Sequence, residues 1–289
     1  MRVLLTGAGG QIGRALVASC PQNVELLALD REDLDITDAA AVAASIGSIR
    51  PELIVNAAAY TAVDKAESEP QLARAVNEDG ACSLASGAAA VGARMIQLST
   101  DFVFDGRSAV PYLADARPAP LSVYGQTKLG GETAVLEALK GKALILRTSW
   151  VYAAEGRNFL RTMLRLMREG RELRIVADQI GTPTAAHSVA EVIWRLAELG
   201  TPGGIYHWSD EGVASWYDFA VAIAEEAAER GLVEPGIRIS AIGTDEYDTA
   251  ARRPAFSVLD KRSTVRATGL SPRHWRQSLR KVLTEVKFE

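Results

Sequence analysis

Tyr124 and Lys128, four residues apart, are the side chains of this sequence best suited to acid catalysis. If they begin a helix, residues i and i+4 lie on one face a single turn apart, so both polar groups can point into one cavity. An ammonium group beside a phenol favours the phenolate and is expected to lower the pKa of Tyr124 toward neutral pH. The pair therefore suggests a general acid for a carbonyl group. A chance pair on the surface is the alternative, and the rest of the chain must decide.

The chain starts with a pattern typical of a strand, a turn and a helix. A predicted strand over residues 2–6, apolar from Val3 to Leu5, leads into glycines at positions 7, 10 and 13. Such glycines permit a tight turn, close approach of the backbone to a pyrophosphate and close packing of helix on strand. The pattern predicts a dinucleotide-binding turn formed by Gly7, Gly10 and Gly13.

Asp30 ends the second predicted strand, 20 residues after Gly10. A carboxylate at that place accepts hydrogen bonds from the adenine ribose hydroxyls, which favours NAD. Arg31 follows directly, and a guanidinium there can hold the 2′-phosphate of NADP or remain a solvated loop charge. These residues predict NADH or NADPH as the cofactor and do not decide between them.

The predicted strands alternate with helices up to Trp150, and two of the strands are almost entirely apolar. This pattern indicates a parallel sheet covered on both faces. Gly7, Asp30, Asn56 and Thr100 each follow the end of a strand. Because the carboxyl ends of parallel strands meet at one edge, these residues are expected at a shared ligand-binding edge.

We therefore predict an α/β fold, a Rossmann-like doubly wound parallel sheet with a smaller, interwoven C-terminal substrate domain. Beyond Trp150 the alternation loosens. Residues 1–150 and about 173–208 are assigned to the dinucleotide-binding domain. Residues about 151–172 and 209–289 are assigned to the substrate domain.

The composition predicts a cytoplasmic protein that binds a small molecule. A net charge of −4 argues against a nucleic-acid partner. No segment approaches the roughly 20 apolar residues of a membrane span, and Arg2 does not head a signal peptide. Cys20 and Cys82 lack metal-ligand spacing, so they are expected to be buried structural thiols in a reducing compartment. The three histidines are also scattered, and no metal site is predicted.

Several stretches resemble the extended short-chain dehydrogenase/reductase superfamily and, within it, the dTDP-4-dehydrorhamnose reductases. The glycine turn marks only the superfamily, whereas the stretches that begin at Asn56, Ser99 and Arg147 are far more specific. The matching stretches are TGAGGQIG (6–13), NAAAYTAVDKAE (56–67), STDFVF (99–104), YGQTKLGGE (124–132), RTSWVY (147–152) and DQIGTPT (178–184).

The resemblance implies that NAD(P)H reduces the C4 keto group of dTDP-6-deoxy-L-lyxo-4-hexulose to give dTDP-L-rhamnose. Tyr124 would protonate the C4 oxygen, Thr100 would hydrogen-bond the same oxygen, and Lys128 would lower the phenol pKa and hold the nicotinamide ribose. Further residues are implied in binding. The sugar contacts would be Thr100, Asp101, Trp150 and Val63, the last of which could equally be a core residue. The cofactor contacts would be Gly7, Gly10, Gln11, Ile12, Gly13, Asp30, Arg31, Asp35, Ile36, Ala59, Tyr60, Thr61, Tyr124 and Lys128.

Two other functions remain open. Nucleotide-sugar epimerases and dehydratases share the glycine turn and Tyr-x-x-x-Lys, but dehydratases typically place an acidic pair after the threonine, where this chain has Asp101 and Phe102. A regulatory subunit like that of methionine adenosyltransferase also resembles these reductases, although intact Thr100, Tyr124 and Lys128 count against it. Some reductases dimerise through Mg²⁺ held by a carboxylate of the first helix. This chain has Arg14, Ala15 and Leu16 there, which argues against a metal bridge. A homodimer without such a bridge is still possible.

Asp30 and Arg31 together predict that both NADH and NADPH support catalysis. Asp30 can accept from ribose hydroxyls, and Arg31 can offset a 2′-phosphate. We expect the two values of kcat/KM, measured from initial rates with each cofactor, to differ by less than ~1000-fold, equivalent to ~4 kcal/mol. A larger ratio would mean that one of the two residues lies away from the adenine ribose.

Overall fold

A six-stranded parallel sheet organises the protein in the computed structural model, which describes residues 1–288. The strands are β1 (Arg2–Thr6), β2 (Glu25–Leu29), β3 (Leu53–Asn56), β4 (Arg94–Thr100), β5 (Ala143–Thr148), β6 (Val151–Tyr152), β7 (Leu173–Val176), β8 (Ile180–Gly181), β9 (Thr184–Ala185), β10 (Gly204–His207), β11 (Ala214–Ser215) and β12 (Ile239–Ile242). The α-helices are α1 (Gln11–Ala18), α2 (Ala39–Ile49), α3 (Val63–Ser68), α4 (Pro70–Arg74), α5 (Gly80–Val91), α6 (Val123–Leu139), α7 (Phe159–Arg168), α8 (Ala186–Glu198), α9 (Trp216–Ala228), α10 (Arg262–Thr268) and α11 (Trp275–Glu285).

The central sheet has the strand order β2-β1-β3-β4-β5-β10, and all its neighbouring strands are parallel. The order reverses between β1 and β3, which is where open α/β sheets form a ligand-binding crevice. The order is that of the flavodoxin-like variant of doubly wound sheets with one strand added. The predicted Rossmann-like fold class is therefore confirmed.

Alternate residues of the strands point to opposite faces of the sheet, and each face has its own core. Val3 and Leu5 of β1 are buried with Leu16 of α1 and Val189 of α8. Leu4 is buried on the other face, with residues of α2, α5 and α6. Both faces are covered, which explains why these strands are nearly continuous apolar runs.

A third core lies between α7, α9 and α11. The strand β7 belongs with this core, because Leu173 is buried in it and β7 pairs with β12 in a separate two-stranded sheet. By contrast, α8 and β10 lie with the six-stranded sheet. Two short pairings, of β6 with β9 and of β8 with β11, occur in the stretch of chain that passes between the two regions. The domain boundaries remain a prediction. Residues about 173–208 were assigned to the dinucleotide-binding domain, but β7, at the start of that range, does not pair with its six-stranded sheet.

The helix α6 carries the Tyr-x-x-x-Lys pair, and a π-helical turn holds it in place. Its N-cap is Ser122, whose side chain accepts a hydrogen bond from the Gly125 N–H at 3.2 Å. The turn Ala75–Asp79 joins α4 to α5, so the helical stretch from Pro70 to Val91 contains one π turn. Gly131 of α6 lies directly against the backbone carbonyl of Asn77 in that turn. Glycine permits this approach because it has no Cβ.

Two further expectations concern the cysteines and the membrane. Cys82 is exposed and Cys20 is partly buried, so the expectation of two buried thiols is wrong for Cys82. It lies on the solvent side of α5, a helix whose apolar pattern is too uniform to mark its buried face. Within residues 1–288, no helix has both the length and the apolar character needed to cross a bilayer.

The close approach at Gly131 predicts a large cost for a single methyl group. A Cβ at this position would overlap the Asn77 carbonyl oxygen, so Gly131→Ala must shift α6 or the π turn. We expect destabilisation of ~1–3 kcal/mol, measured by denaturant unfolding. Gly47→Ala is the matched control, because Gly47 lies in α2 and a methyl group added there would have no neighbouring atom within 4 Å. That variant should be neutral or up to ~1 kcal/mol more stable, and equal effects at both sites would contradict this packing.

Candidate active site

The glycine turn between β1 and α1 forms the floor of the site. Gly7 has φ of +75°, a conformation that favours glycine, and a Cβ there would overlap the backbone of Ala57 and Ala58 at the end of β3. A Cβ on Gly13 would overlap the carbonyl oxygen of Gly7. The turn, the start of α1 and the end of β3 are thus packed at distances that only glycines allow. A backbone held this way leaves the N-terminus of α1 free to face phosphate groups.

A cavity of about 380 Å³ opens beside this turn, between the ends of β1, β2 and β3. Eight of the residues predicted to bind the cofactor line it, namely Gly7, Gly10, Asp30, Arg31, Asp35, Ile36, Ala59 and Tyr60. Its other lining residues are Gly9, Glu32, Leu34, Ala57, Ala58 and Val76. Gln11, Ile12, Gly13 and Thr61 lie outside this lining. The shape and the glycine floor fit the adenosine and pyrophosphate part of a dinucleotide.

Asp30 is held in place by its own loop at the rim of this cavity. Its Oδ1 atom accepts from the backbone N–H groups of Glu32 at 2.8 Å and Asp33 at 3.3 Å. Arg31 is exposed, and its Nη2 lies 3.7 Å from Oδ2 of Asp35. The carboxylate predicted to bind ribose and the guanidinium predicted to bind a 2′-phosphate therefore lie at one rim.

A buried hydrogen-bond network crosses the ends of β1, β3 and β4. The Thr6 hydroxyl donates to Oδ1 of Asn56 at 2.7 Å, and Nδ2 of Asn56 donates to Oε1 of Gln97 at 2.8 Å. Oδ1 of Asn56 also accepts from the Ala58 N–H at 3.1 Å. The network satisfies the buried amide groups and fixes the chain where it leaves β3 toward the cavity. Asn56 is thus placed at the predicted edge as a structural link to the cavity wall.

Thr100 and Tyr124 come together at the end of β4. Thr100 is buried at the last position of the strand, and its hydroxyl lies close enough to the Tyr124 phenol to influence its pKa. The Tyr124 ring packs edge-on against Phe102, with ring centroids 5.7 Å apart. Burial raises the pKa of Tyr124 to about 12, while the nearby Thr100 hydroxyl acts in the opposite direction.

Lys128 is buried one turn further along α6. Its Nζ donates to the carbonyl oxygen of Leu98 at 2.7 Å. Burial lowers the pKa of Lys128 to about 8, and the charge of Glu132 opposes the shift. The expectation of a net lowering of the Tyr124 pKa toward neutral pH is therefore wrong in this structure, where that pKa is raised. Desolvation dominates, because burial penalises the charged forms of both side chains.

Asp101 is a buried carboxyl next to this pair. Its Oδ1 accepts from the Thr100 hydroxyl at 3.1 Å, while Oδ2 has no hydrogen-bond partner among residues 1–288. Burial raises the pKa of Asp101 to about 7, and the nearby Ser257 and Thr100 hydroxyls oppose the shift. A buried carboxyl oxygen without a protein partner is suited to a hydroxyl group of a ligand.

Trp150 and Val63 are the remaining predicted sugar contacts. Trp150 follows β5 with φ of +46°, which is uncommon for a large side chain. Its indole stacks on that of Trp216 with ring centroids 3.6 Å apart and an interplanar angle of 4°. On Gly181, a Cβ would come within 2.5 Å of the Trp150 ring. Val63 is partly buried at the start of α3.

Three features of the site are not apparent from the sequence. Val76 lines the cavity from the π turn, which nothing in an ordinary helical pattern marks. Trp216 lies against Trp150, from which it is distant in sequence. The third is a buried ion pair: Arg147 donates from Nε and Nη2 to the two carboxylate oxygens of Glu132 at 2.8 and 2.6 Å. Both residues stand in the motifs quoted above, but spacing alone does not pair them.

Among residues 1–288, no group of three or more His, Cys, Asp or Glu side chains has the geometry to hold a metal ion. His207 is fully buried instead, and its Nδ1 lies 3.1 Å from the carbonyl oxygen of Tyr112. Burial and the neighbouring Arg147 lower the pKa of His207 to about 3. This histidine is therefore a neutral structural group.

A doubly wound parallel sheet with a glycine turn at its crevice and a helix-borne Tyr-x-x-x-Lys beside Thr100 defines the class of short-chain dehydrogenase/reductase-like proteins. The family model described as "RmlD substrate binding domain" matches residues 1–288. This chain belongs to that family, which confirms the family predicted from its motifs.

Named relatives cover essentially the whole chain. The chain is 43% identical over 288 residues to a dTDP-4-dehydrorhamnose reductase of Aggregatibacter actinomycetemcomitans, covering 97% of this chain and 98% of the relative. A solved dTDP-4-dehydrorhamnose reductase of Clostridium acetobutylicum superposes with a TM-score of 0.92 at 38% identity, over 99% of both chains. A Bacillus anthracis dTDP-4-dehydrorhamnose reductase in complex with NADP gives a TM-score of 0.91 at 36% identity, also over 99% of both chains.

The isolated carboxyl of Asp101 predicts a pH-dependent effect on stability. Its folded pKa lies above the ordinary value, so the folded protein retains a proton that the unfolded chain loses between about pH 4 and 7. The wild-type protein therefore loses stability from this group as the pH rises through that range. Asp101→Asn has no charge to bury and should be more stable than wild type at pH 8, by roughly 2 kcal/mol, with a smaller difference at pH 5.

Thermal unfolding of both proteins at the two pH values tests this prediction. Asp248→Asn at an exposed position is the control for the same chemical change. A gain at Asp101 that does not depend on pH would mean that its carboxyl is ionised in the folded protein.

Proposed function

We propose that this protein is an NAD(P)H-dependent oxidoreductase that reduces the C4 keto group of dTDP-6-deoxy-L-lyxo-4-hexulose to give dTDP-L-rhamnose. The observation that carries the proposal is the meeting of Thr100, Tyr124 and Lys128 at the edge of the sheet that also holds the cavity beside the glycine turn. The family membership and the full-length relatives named dTDP-4-dehydrorhamnose reductase support this choice of substrate. The residues that perform the reaction are part of the proposal.

The cofactor, when bound, supplies a hydride to C4 of the keto sugar. Tyr124 donates the balancing proton to the C4 oxygen, so the ketone becomes a secondary alcohol. At neutral pH a phenol with a pKa of about 12 is fully protonated, as an acid in this direction must be. The Thr100 hydroxyl, which donates to Asp101 in this structure, turns to donate to the same oxygen instead and stabilises the negative charge that develops on it. A held donor and a positioned acid make the reaction effectively intramolecular.

Lys128 acts on both the acid and the cofactor. Its charge favours loss of the proton from Tyr124 as the transfer proceeds, and its remaining N–H groups can donate to the nicotinamide ribose. The Leu98 carbonyl fixes the ammonium group in the buried position where it can do both. Gln11, Ile12, Gly13 and Thr61, which do not line the cavity, make further contacts with the cofactor in this proposal.

Asp101, Trp150 and Val63 orient the sugar. The free Oδ2 of Asp101 accepts from a sugar hydroxyl, and the partly exposed indole of Trp150 contacts the pyranose. We further propose that the protein works in the cytoplasm as a homodimer, without metal ions and without a nucleic-acid or membrane partner. The absence of a carboxylate at Arg14 is the basis for a dimer without Mg²⁺.

Tyr124→Phe provides the direct test, because it removes the proton donor and keeps the ring. We expect kcat to fall by ~100-fold or more with cofactor affinity little changed, since general acids contribute on that scale. The assay follows reduced nicotinamide absorbance with the authentic keto sugar. Tyr247→Phe is the matched control at a 54% exposed tyrosine and should retain wild-type turnover. Equal turnover in the two variants would remove α6 from the mechanism and favour a regulatory subunit.

Thr100→Val and Lys128→Met separate the two other roles. Thr100→Val should lower kcat mainly, because the hydroxyl meets the carbonyl oxygen and not the cofactor. Lys128→Met should lower kcat and weaken cofactor binding together. Steady-state kinetics and cofactor titrations of the two variants distinguish these patterns, and unchanged cofactor affinity in folded Lys128→Met would contradict the ribose contact.

A further inference from the structure

The rim of the cavity at the end of β2 carries an excess of negative charge. Residues 30–35 contain four carboxylates against one guanidinium, a formal charge of −3. Asp30, Arg31, Glu32 and Asp35 line the cavity directly. Asp33 is an exposed residue of the same loop, and its Oδ2 accepts from the Asp30 N–H at 3.0 Å.

The single guanidinium of this rim is already paired. Arg31 and Asp35 form an ion pair at 3.7 Å, with 77% of the Arg31 side chain exposed. Asp35 is itself fixed, because its Oδ1 accepts from the Thr37 N–H at 3.0 Å and from the Thr37 hydroxyl at 2.8 Å. These hydrogen bonds, and to a smaller extent the charge of Arg31, hold the pKa of Asp35 below its ordinary value. Asp35 therefore remains charged at neutral pH and continues to neutralise the charge of Arg31.

We propose that Asp35 is a specificity-determining residue that holds Arg31 away from a 2′-phosphate, so that this protein prefers NADH over NADPH. The inference rests on the proposed function, since it concerns the cofactor of the same reaction. NADH presents two ribose hydroxyls, from which carboxylates such as Asp30 can accept hydrogen bonds. NADPH presents a phosphate of about −1.5 to −2 charges, as judged from phosphate monoesters.

Repulsion at this rim is not removed by ordinary salt. The six residues form one loop, so their carboxylates lie within about a Debye length of a phosphate bound there, ~8 Å at physiological ionic strength. Arg31 can offset one of these charges, but Asp35 competes for it. We expect kcat/KM for NADH to exceed that for NADPH by at least ~10-fold, equivalent to ~1.4 kcal/mol.

Asp35→Asn tests the role of this carboxylate. The amide oxygen can still accept from Thr37, while the charge is removed and Arg31 is released. We expect the NADPH/NADH ratio of kcat/KM to rise by ~5-fold or more. In the double variant Asp35→Asn/Arg31→Ala, most of this gain should be lost, because the released guanidinium is what receives the phosphate.

Glu198→Gln is the matched control. Glu198 is also an exposed carboxylate in an ion pair with an arginine, Arg195 at 2.7 Å, but it lies on α8, which covers the opposite face of the sheet from α2. Its cofactor ratio should stay within about 2-fold of wild type. A wild-type preference for NADPH, an unchanged ratio in Asp35→Asn, or an equal change in Glu198→Gln would each overturn the proposal.

Binding measurements keep this inference separate from the reaction. The dissociation constants of NADH and NADPH, from the fluorescence of the bound reduced nicotinamide, need no keto sugar. We expect the same preference and the same shift in Asp35→Asn. Absence of turnover with either cofactor, together with this binding pattern, would contradict the proposed reaction and support the specificity assignment.

Discussion

The buried ion pair between Glu132 and Arg147 connects the elements that carry the candidate active site. Their side chains are 2% and 1% exposed, and they meet in a two-pronged hydrogen bond between α6 and β5. Ser99 of β4 donates to the same carboxylate at 2.5 Å. Because each charge is compensated by the other, loss of one partner would leave a buried charge, a cost of ~3–5 kcal/mol. The orientation of α6, and with it that of Tyr124 and Lys128, depends on this contact.

Burial around that pair sets the proton affinities of the site. Tyr124 and Lys128 both shift toward their neutral forms, and Asp101 shifts in the same sense. In water the two neighbouring charges would decide the phenol pKa, but in a low-dielectric site the cost of desolvation is larger than the attraction. Groups that are costly to ionise in a folded protein are common in active sites, because the burial that makes them reactive also lowers the stability of the fold.

The sequence determined the fold class and most of the positions that line the site. Apolar strands alternating with helices indicated a covered parallel sheet, and the structure has one. Gly7, Asp30, Asn56 and Thr100 all lie at strand ends, because the carboxyl ends of parallel strands share an edge whatever the detailed order. Local rules of this kind depend only on neighbouring residues, and they therefore held through the first half of the chain.

Only the tertiary structure decided which distant groups meet. The π turn that brings Val76 into the cavity leaves no local pattern, since its residues look like part of an ordinary helix. The stack of Trp150 on Trp216 leaves none either, because the two residues are far apart in sequence. The pairing of β7 with β12 is another example, because a four-residue apolar strand fits either sheet. Motif spacing correctly placed Tyr124 and Lys128 on one helix, but it gave the wrong direction for the Tyr124 pKa. Spacing specifies which charges are near in sequence, whereas a pKa depends on how much water the surrounding fold removes.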